Sequence, residues 1–138
     1  MNHSRAFIAG LAFPAVLLPV VYLILNQTGL MVAISLPLQF QPLFLPIIFG
    51  FWNVLYFAIG RRHPVKAKNS RLWVTGIILG LIVASFVVFV SDLPELIFGI
   101  TGGSNYLPFI IAPIIYGLIW RYIVNSINNL VGLQDFSD

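Results

Sequence analysis

Cysteine is absent from the 138 residues, which excludes both a disulfide framework and a thiolate metal site. Charge is nearly as scarce, with Asp, Glu, Lys and Arg at 8% of the chain against 59% hydrophobic residues. A soluble domain carries about a quarter charged residues and covers its surface with them, so this composition excludes an ordinary soluble fold. The two histidines, His3 and His63, cannot make a catalytic zinc site, which needs three protein ligands. Four stretches lack charge altogether: Phe7–Leu25, Pro42–Gly60, Leu72–Ser91 and Tyr106–Trp120. At about 1.5 Å per residue, runs near 20 residues cross a hydrocarbon core about 30 Å thick. The last run is shorter, but its helical pattern continues past Arg121 through Tyr122–Val131.

What the chain does have is concentrated at its midpoint. Of the seven Lys/Arg residues, Arg61, Arg62, Lys66, Lys68 and Arg71 all fall in the stretch RRHPVKAKNSR. The fold class that follows is an all-α integral membrane protein, with four transmembrane helices arranged as two helical hairpins joined by this basic loop. The whole chain, 1–138, reads as one transmembrane domain with spans at about 7–25, 42–60, 72–91 and 106–124. The basic loop is 61–71, and an amphipathic helical extension with an acidic tail occupies 125–138. Four spans put Arg5, the 61–71 loop and Arg121 on one side, while the loops Asn26–Gln41 and Asp92–Asn105 on the other carry no Lys or Arg. The positive-inside rule then places both termini in the cytoplasm; the expected location is a bacterial or archaeal cell membrane. The net charge of +3 follows the membrane in this way and does not point to nucleic acid. Each basic residue of the loop attracts anionic lipid at about 1 kcal/mol.

Along the chain, Phe7–Leu25 is too long for a signal-peptide core and is followed by Asn26-Gln27-Thr28, not by a small-residue cleavage site. It stays as the first span. Asn26-Gln27-Thr28 also fits a glycosylation sequon, but it abuts the membrane surface and carries no weight. Pro14 and Pro19 remove amide donors and bend span one, and Pro46 and Pro113 do the same near the outer ends of spans two and four. The apolar patch Leu30–Leu36 is too short to cross and either lies in the outer interface or dips into the bundle. Asp92-Leu93-Pro94-Glu95 reads as the start of a short outer helix, with Asp92 as its cap. Asn69-Ser70 offers an N-cap for span three. Gly76, Gly80 and Ala84 form a small-xxx-small stripe for close helix approach, and Asn53 suits an interhelical hydrogen bond. Trp52, Trp73, Trp120 and Tyr122 read as interfacial anchors. Beyond Arg121 the apolar positions Ile123, Ile127, Leu130 and Val131 oppose a polar side of Asn125, Asn128 and Asn129. The helix should stop at Gly132.

The halves repeat. Arg5-Ala6-Phe7-Ile8-Ala9-Gly10 aligns with Arg71-Leu72-Trp73-Val74-Thr75-Gly76 at an offset of 66, and Pro46-Ile47-Ile48-Phe49-Gly50 aligns with Pro113-Ile114-Ile115-Tyr116-Gly117 at 67. Both halves enter from the same side, so the repeat is parallel, about an axis along the membrane normal.

No Asp, Glu, Lys, Arg or His lies in the four charge-free runs, and intramembrane ionisable groups are what mark proton and ion pathways. The expected role is therefore a non-enzymatic subunit, scaffold or accessory protein that associates with itself or another integral membrane protein and needs no cofactor. The alternative is a small transporter, channel or lipid flippase for a hydrophobic or amphipathic substrate. In size the chain resembles the small multidrug transporters, which depend on a buried glutamate in the first span; span one here has no carboxylate. Small sugar-lipid flippases share the four-span plan without a motif match. An enzyme would have to use Asp92 and Glu95, which a helix cap explains.

Overall fold

A chain this apolar must satisfy its backbone within each segment, and helices do so without partners. The computed structural model describes residues 3–29, 41–59, 62, 64–90 and 102–133, and among them the regular structure is helical. Helix α1 spans His3–Gln27. A short 3₁₀ turn, Gln41–Phe44, leads into α2, Leu45–Ile59. Helix α3 is Lys68–Phe89. A second 3₁₀ turn, Gly102–Tyr106, precedes α4, Pro108–Leu118, which continues through a π-helical turn, Ile119–Val124, into α5, Asn125–Leu130. Four helices, His3–Gln27, Pro42–Ile59, Lys68–Phe89 and Pro108–Leu130, are long and apolar enough to cross a membrane. Their outward faces carry Val16, Phe51, Phe89, Ile110 and Leu130, all well exposed, an apolar surface that suits lipid and not water.

Several boundaries differ from those the sequence suggests. Helix α1 begins at His3, four residues before the first charge-free run. Helix α3 begins before Asn69 and Ser70, which are exposed inside its first turn. Its cap is Ala67, in extended backbone with no side-chain bond, because the Ala67 carbonyl already accepts the Arg71 N–H at 2.9 Å. The π turn at Ile119–Val124 was not legible at all. The far end of the rod closes as its glycine requires: Gly132 sits at φ +76°, the Gly132 N–H donates to the Asn129 carbonyl and the Leu133 N–H to the Asn128 carbonyl. That pair of bonds is a Schellman stop. Leu30–Leu36, Gly60, Arg61, His63, Asp92, Glu95, Asp135 and Asp138 lie outside the described residues.

Helices α1 and α2 pack as one hairpin, and α3 and α4 as another. Close contact within each rests on glycine. A methyl group added at Gly10 would press on the Phe49 carbonyl and lie 2.7 Å from the Asn53 Cβ. One added at Gly76 would press on the Tyr116 carbonyl and lie 2.8 Å from the Trp120 Cβ. Gly50 lies under the Phe7 ring, and Gly117 under the Trp73 ring. Between the hairpins, Phe49 meets Tyr116 and Trp120, with ring centroids 5.5 and 5.6 Å apart. The core gathers here: Ala6, Ala9, Phe49, Leu72, Leu79, Trp120 and Val124 are buried.

Candidate functional site

Polar side chains are so rare inside this molecule that the buried ones define its site. Among the described residues they are Asn53, Arg71, Thr75 and Asn128. Asn53 sits in the middle of the apolar helix α2 and is fully buried. Its Nδ2 donates to the Ala6 carbonyl at 2.8 Å and to Asn128 Oδ1 at 2.7 Å. Asn128 Nδ2 donates back to Asn53 Oδ1 at 3.1 Å. One side chain therefore ties together α1, α2 and α5, and both of its N–H donors are used.

Successive residues on a helix point about 100° apart, so Trp52 turns to a different neighbour. Its Nε1 donates to the Thr75 carbonyl on α3 at 3.1 Å. The Thr75 hydroxyl donates to the Arg71 carbonyl one turn earlier, at 2.8 Å. Ser85 likewise donates to the Leu81 carbonyl of its own helix.

Arg71 overturns two expectations. It lies inside helix α3, and it is only 3% exposed, so it does not reach out to lipid headgroups as a loop residue would. The reason is register. The buried positions of α3 include Leu72, Thr75, Gly76, Leu79 and Gly80, and Arg71 is one turn before Thr75 on that inward face. Its Nη1 holds the Lys66 carbonyl at 3.5 Å among its contacts. Arg62 and Lys66 are exposed and Lys68 is half-buried.

Trp120 also departs from its expected role. It is completely buried between the hairpins and is not an interfacial anchor. Its indole N–H, buried in the same place, has no hydrogen-bond partner among the described residues. Trp73 does lie toward the surface, half-buried, with the Arg121 guanidinium 6.0 Å from its ring and 5.2 Å from that of Tyr122. Such contacts are cation–π pairs.

The remaining residues singled out in the sequence fall as follows. Gly76, Gly80 and Ala84 are buried on α3, Gly76 against Tyr116 and Gly117, and Gly80 against Ala112 and Pro113 of α4. Pro14 is buried and Pro19 exposed within α1, Pro46 is half-buried in the first turn of α2, and Pro113 is buried inside α4. Asn128 is the residue that sequence reasoning misplaced, on a polar side with Asn125 and Asn129. A signal existed: Trp120, Val124 and Asn128 recur every four residues, and all three are buried. No group of three His, Asp or Glu able to hold a metal ion occurs among the described residues. Comparison with known protein families, with characterised proteins and with solved structures gives no match.

Proposed function

We propose that the chain is a non-enzymatic subunit or scaffold of the membrane, acting through association of its helices with a second copy or with another integral membrane protein. The observation that carries this reading is how the interior spends its polar groups. Asn53 and Asn128 bond to each other, the Trp52 indole to the Thr75 carbonyl, and the Thr75 and Ser85 hydroxyls to their own helix. The amide pair and the indole bond hold helices together, and the two hydroxyls are taken up within their own helix, so none of these groups is left to bind a solute. Recognition then falls to the exposed apolar faces of the helices, where association in lipid depends on close packing.

Two further features belong to the proposal. Both termini are cytoplasmic, as the one-sided placement of Lys and Arg supports. The two hairpins are parallel repeats. Supporting this, the Gly10 contact with Phe49 and Asn53 recurs as the Gly76 contact with Tyr116 and Trp120, and the Gly50–Phe7 contact recurs as Gly117–Trp73. Each pair is shifted by 66 or 67 residues. Phe49 and Tyr116, equivalent in the repeat, touch each other, as residues beside a two-fold axis do.

Native mass spectrometry of the particle, extracted gently from its own membrane, tests the reading. A stoichiometric second subunit or a defined homo-oligomer supports it; a bare monomer that moves solute across vesicles overturns it. The second reading, a small transporter or lipid flippase, is favoured by one observation, the Trp120 indole N–H at the contact between the hairpins, which has no partner among the described residues. On that reading vesicle flux is abolished by Asn53→Ala or Gly80→Leu.

A further inference from the structure

Helix α2 carries an apolar groove of about 480 Å³, lined by residues that include Ile47, Phe51, Trp52, Leu55 and Ala58. The one side-chain N–H among them, that of the Trp52 indole, already donates to Thr75 on the other hairpin. From Ile47 to Ala58 the helix rises about 16 Å, roughly the depth of one leaflet of a hydrocarbon core about 30 Å thick. All of its lining comes from α2, so it is an open apolar furrow along one helix, of a length that one acyl chain can follow.

The groove runs toward the basic end of the molecule. Arg62, exposed, follows Ala58 by four residues. Across the Trp52–Thr75 bond, α3 leads back to Lys68 at its start, with Lys66 exposed just before it. Three cations thus cluster in sequence around the end of a leaflet-deep apolar slot. We infer that the groove is a binding site for one anionic phospholipid, with an acyl chain lodged along Ile47–Ala58 and its phosphate held by Arg62, Lys66 and Lys68. The basic residues beyond its end select for an anionic headgroup over a zwitterionic one.

This inference rests on the chain lying in a bilayer with its basic end at one surface. The full chain is reconstituted into bilayers of equal phosphatidylglycerol and phosphatidylcholine, checked by flotation with the vesicles, then extracted gently and weighed by native mass spectrometry. The expected result is one retained phospholipid per chain, phosphatidylglycerol over phosphatidylcholine by about tenfold. The triple variant Arg62→Gln, Lys66→Gln, Lys68→Gln should keep a lipid but lose the preference. Ala58→Phe and Leu55→Trp, both at exposed positions that fill the groove, should each lose the lipid while keeping helical circular dichroism. Equal retention of the two lipids, retention unaffected by both groove-filling variants, or a second protein chain displaced by those variants in place of a lipid overturns the inference. A chain that fails to float with vesicles overturns the bilayer reading itself, whereas one that floats but holds no lipid overturns only the groove site.

Discussion

Asn53 and Asn128, 75 residues apart in the chain, face each other as reciprocal amides, each donating to the other's oxygen. The pair is buried, and Asn53 adds a bond to the Ala6 carbonyl, so the end of the last helix is locked onto the first hairpin. Interhelical hydrogen bonds in membrane proteins contribute about 0.6 kcal/mol on average and up to about 1.7 kcal/mol.

The first prediction concerns that lock. Asn128→Leu should cost about 1 kcal/mol, and Asn53→Leu more, because it also removes the bond to Ala6. A double-mutant cycle, read by unfolding in mixed micelles, should give a coupling near 1 kcal/mol. Strictly additive losses would mean that the two amides do not act as a pair.

The second concerns the glycine contacts. Gly10→Ala and Gly76→Ala place a methyl against backbone carbonyls that cannot swing aside, those of Phe49 and Tyr116. Each should cost about 1–3 kcal/mol through overpacking, and by similar amounts, since the two contacts have the same form. Gly103→Ala meets nothing within 4 Å and should stay within about 0.5 kcal/mol of the parent in the same assay.

A chain with no cysteine is a ready background for thiol labelling. Arg62→Cys and Lys66→Cys, at exposed positions, should react readily with a membrane-impermeant maleimide. Arg71→Cys, at a position 3% exposed, should react at least about tenfold more slowly. Sidedness comes from the same reagent: Lys66→Cys should label only from the cytoplasmic side in cells, and Gly103→Cys only from the other. Labelling of both from one side would overturn the topology.

The tryptophans give a contrasting pair. The Trp120 N–H is buried without an acceptor among the described residues, a state that costs about 1–3 kcal/mol. Trp120→Phe removes that donor along with part of the ring, so its net effect should stay within about 1 kcal/mol. Trp120→Ala should cost about 3–5 kcal/mol, because it empties the contact with Phe49. Trp52→Phe loses a satisfied bond to Thr75 and should cost about 1 kcal/mol. The order is read from thermal unfolding in detergent; a large loss for Trp120→Phe would show that its indole does have an acceptor.

Much of the architecture was open to inspection in the chain itself. Four helices long and apolar enough to cross a membrane follow from hydropathy and length, because lipid admits few alternatives to a helix. The glycine stop at Gly132 was visible for a similarly local reason, since its left-handed conformation and the two bonds that close the helix are set by neighbouring residues. Arg71, Trp120 and Asn128 were misread because each belongs to a residue type that ordinarily faces water or the membrane surface. Composition assigns such residues outward. Only the register of α3 and the packing of the last helix turn them in.

By itself, then, the sequence determined that the chain is helical and apolar enough for a bilayer, since hydrophobic runs and local caps act on neighbouring residues alone. What tertiary structure decided is which polar groups meet. The Asn53–Asn128 pair, the Trp52–Thr75 bond and the tilted ring contact of Phe49 with Trp120 each join residues from separate hairpins. The relative rotation of two apolar helices in lipid is set by backbone approach at Gly10 and Gly76 and by a few hydrogen bonds, and not by a hydrophobic pattern that differs little from one face to the next.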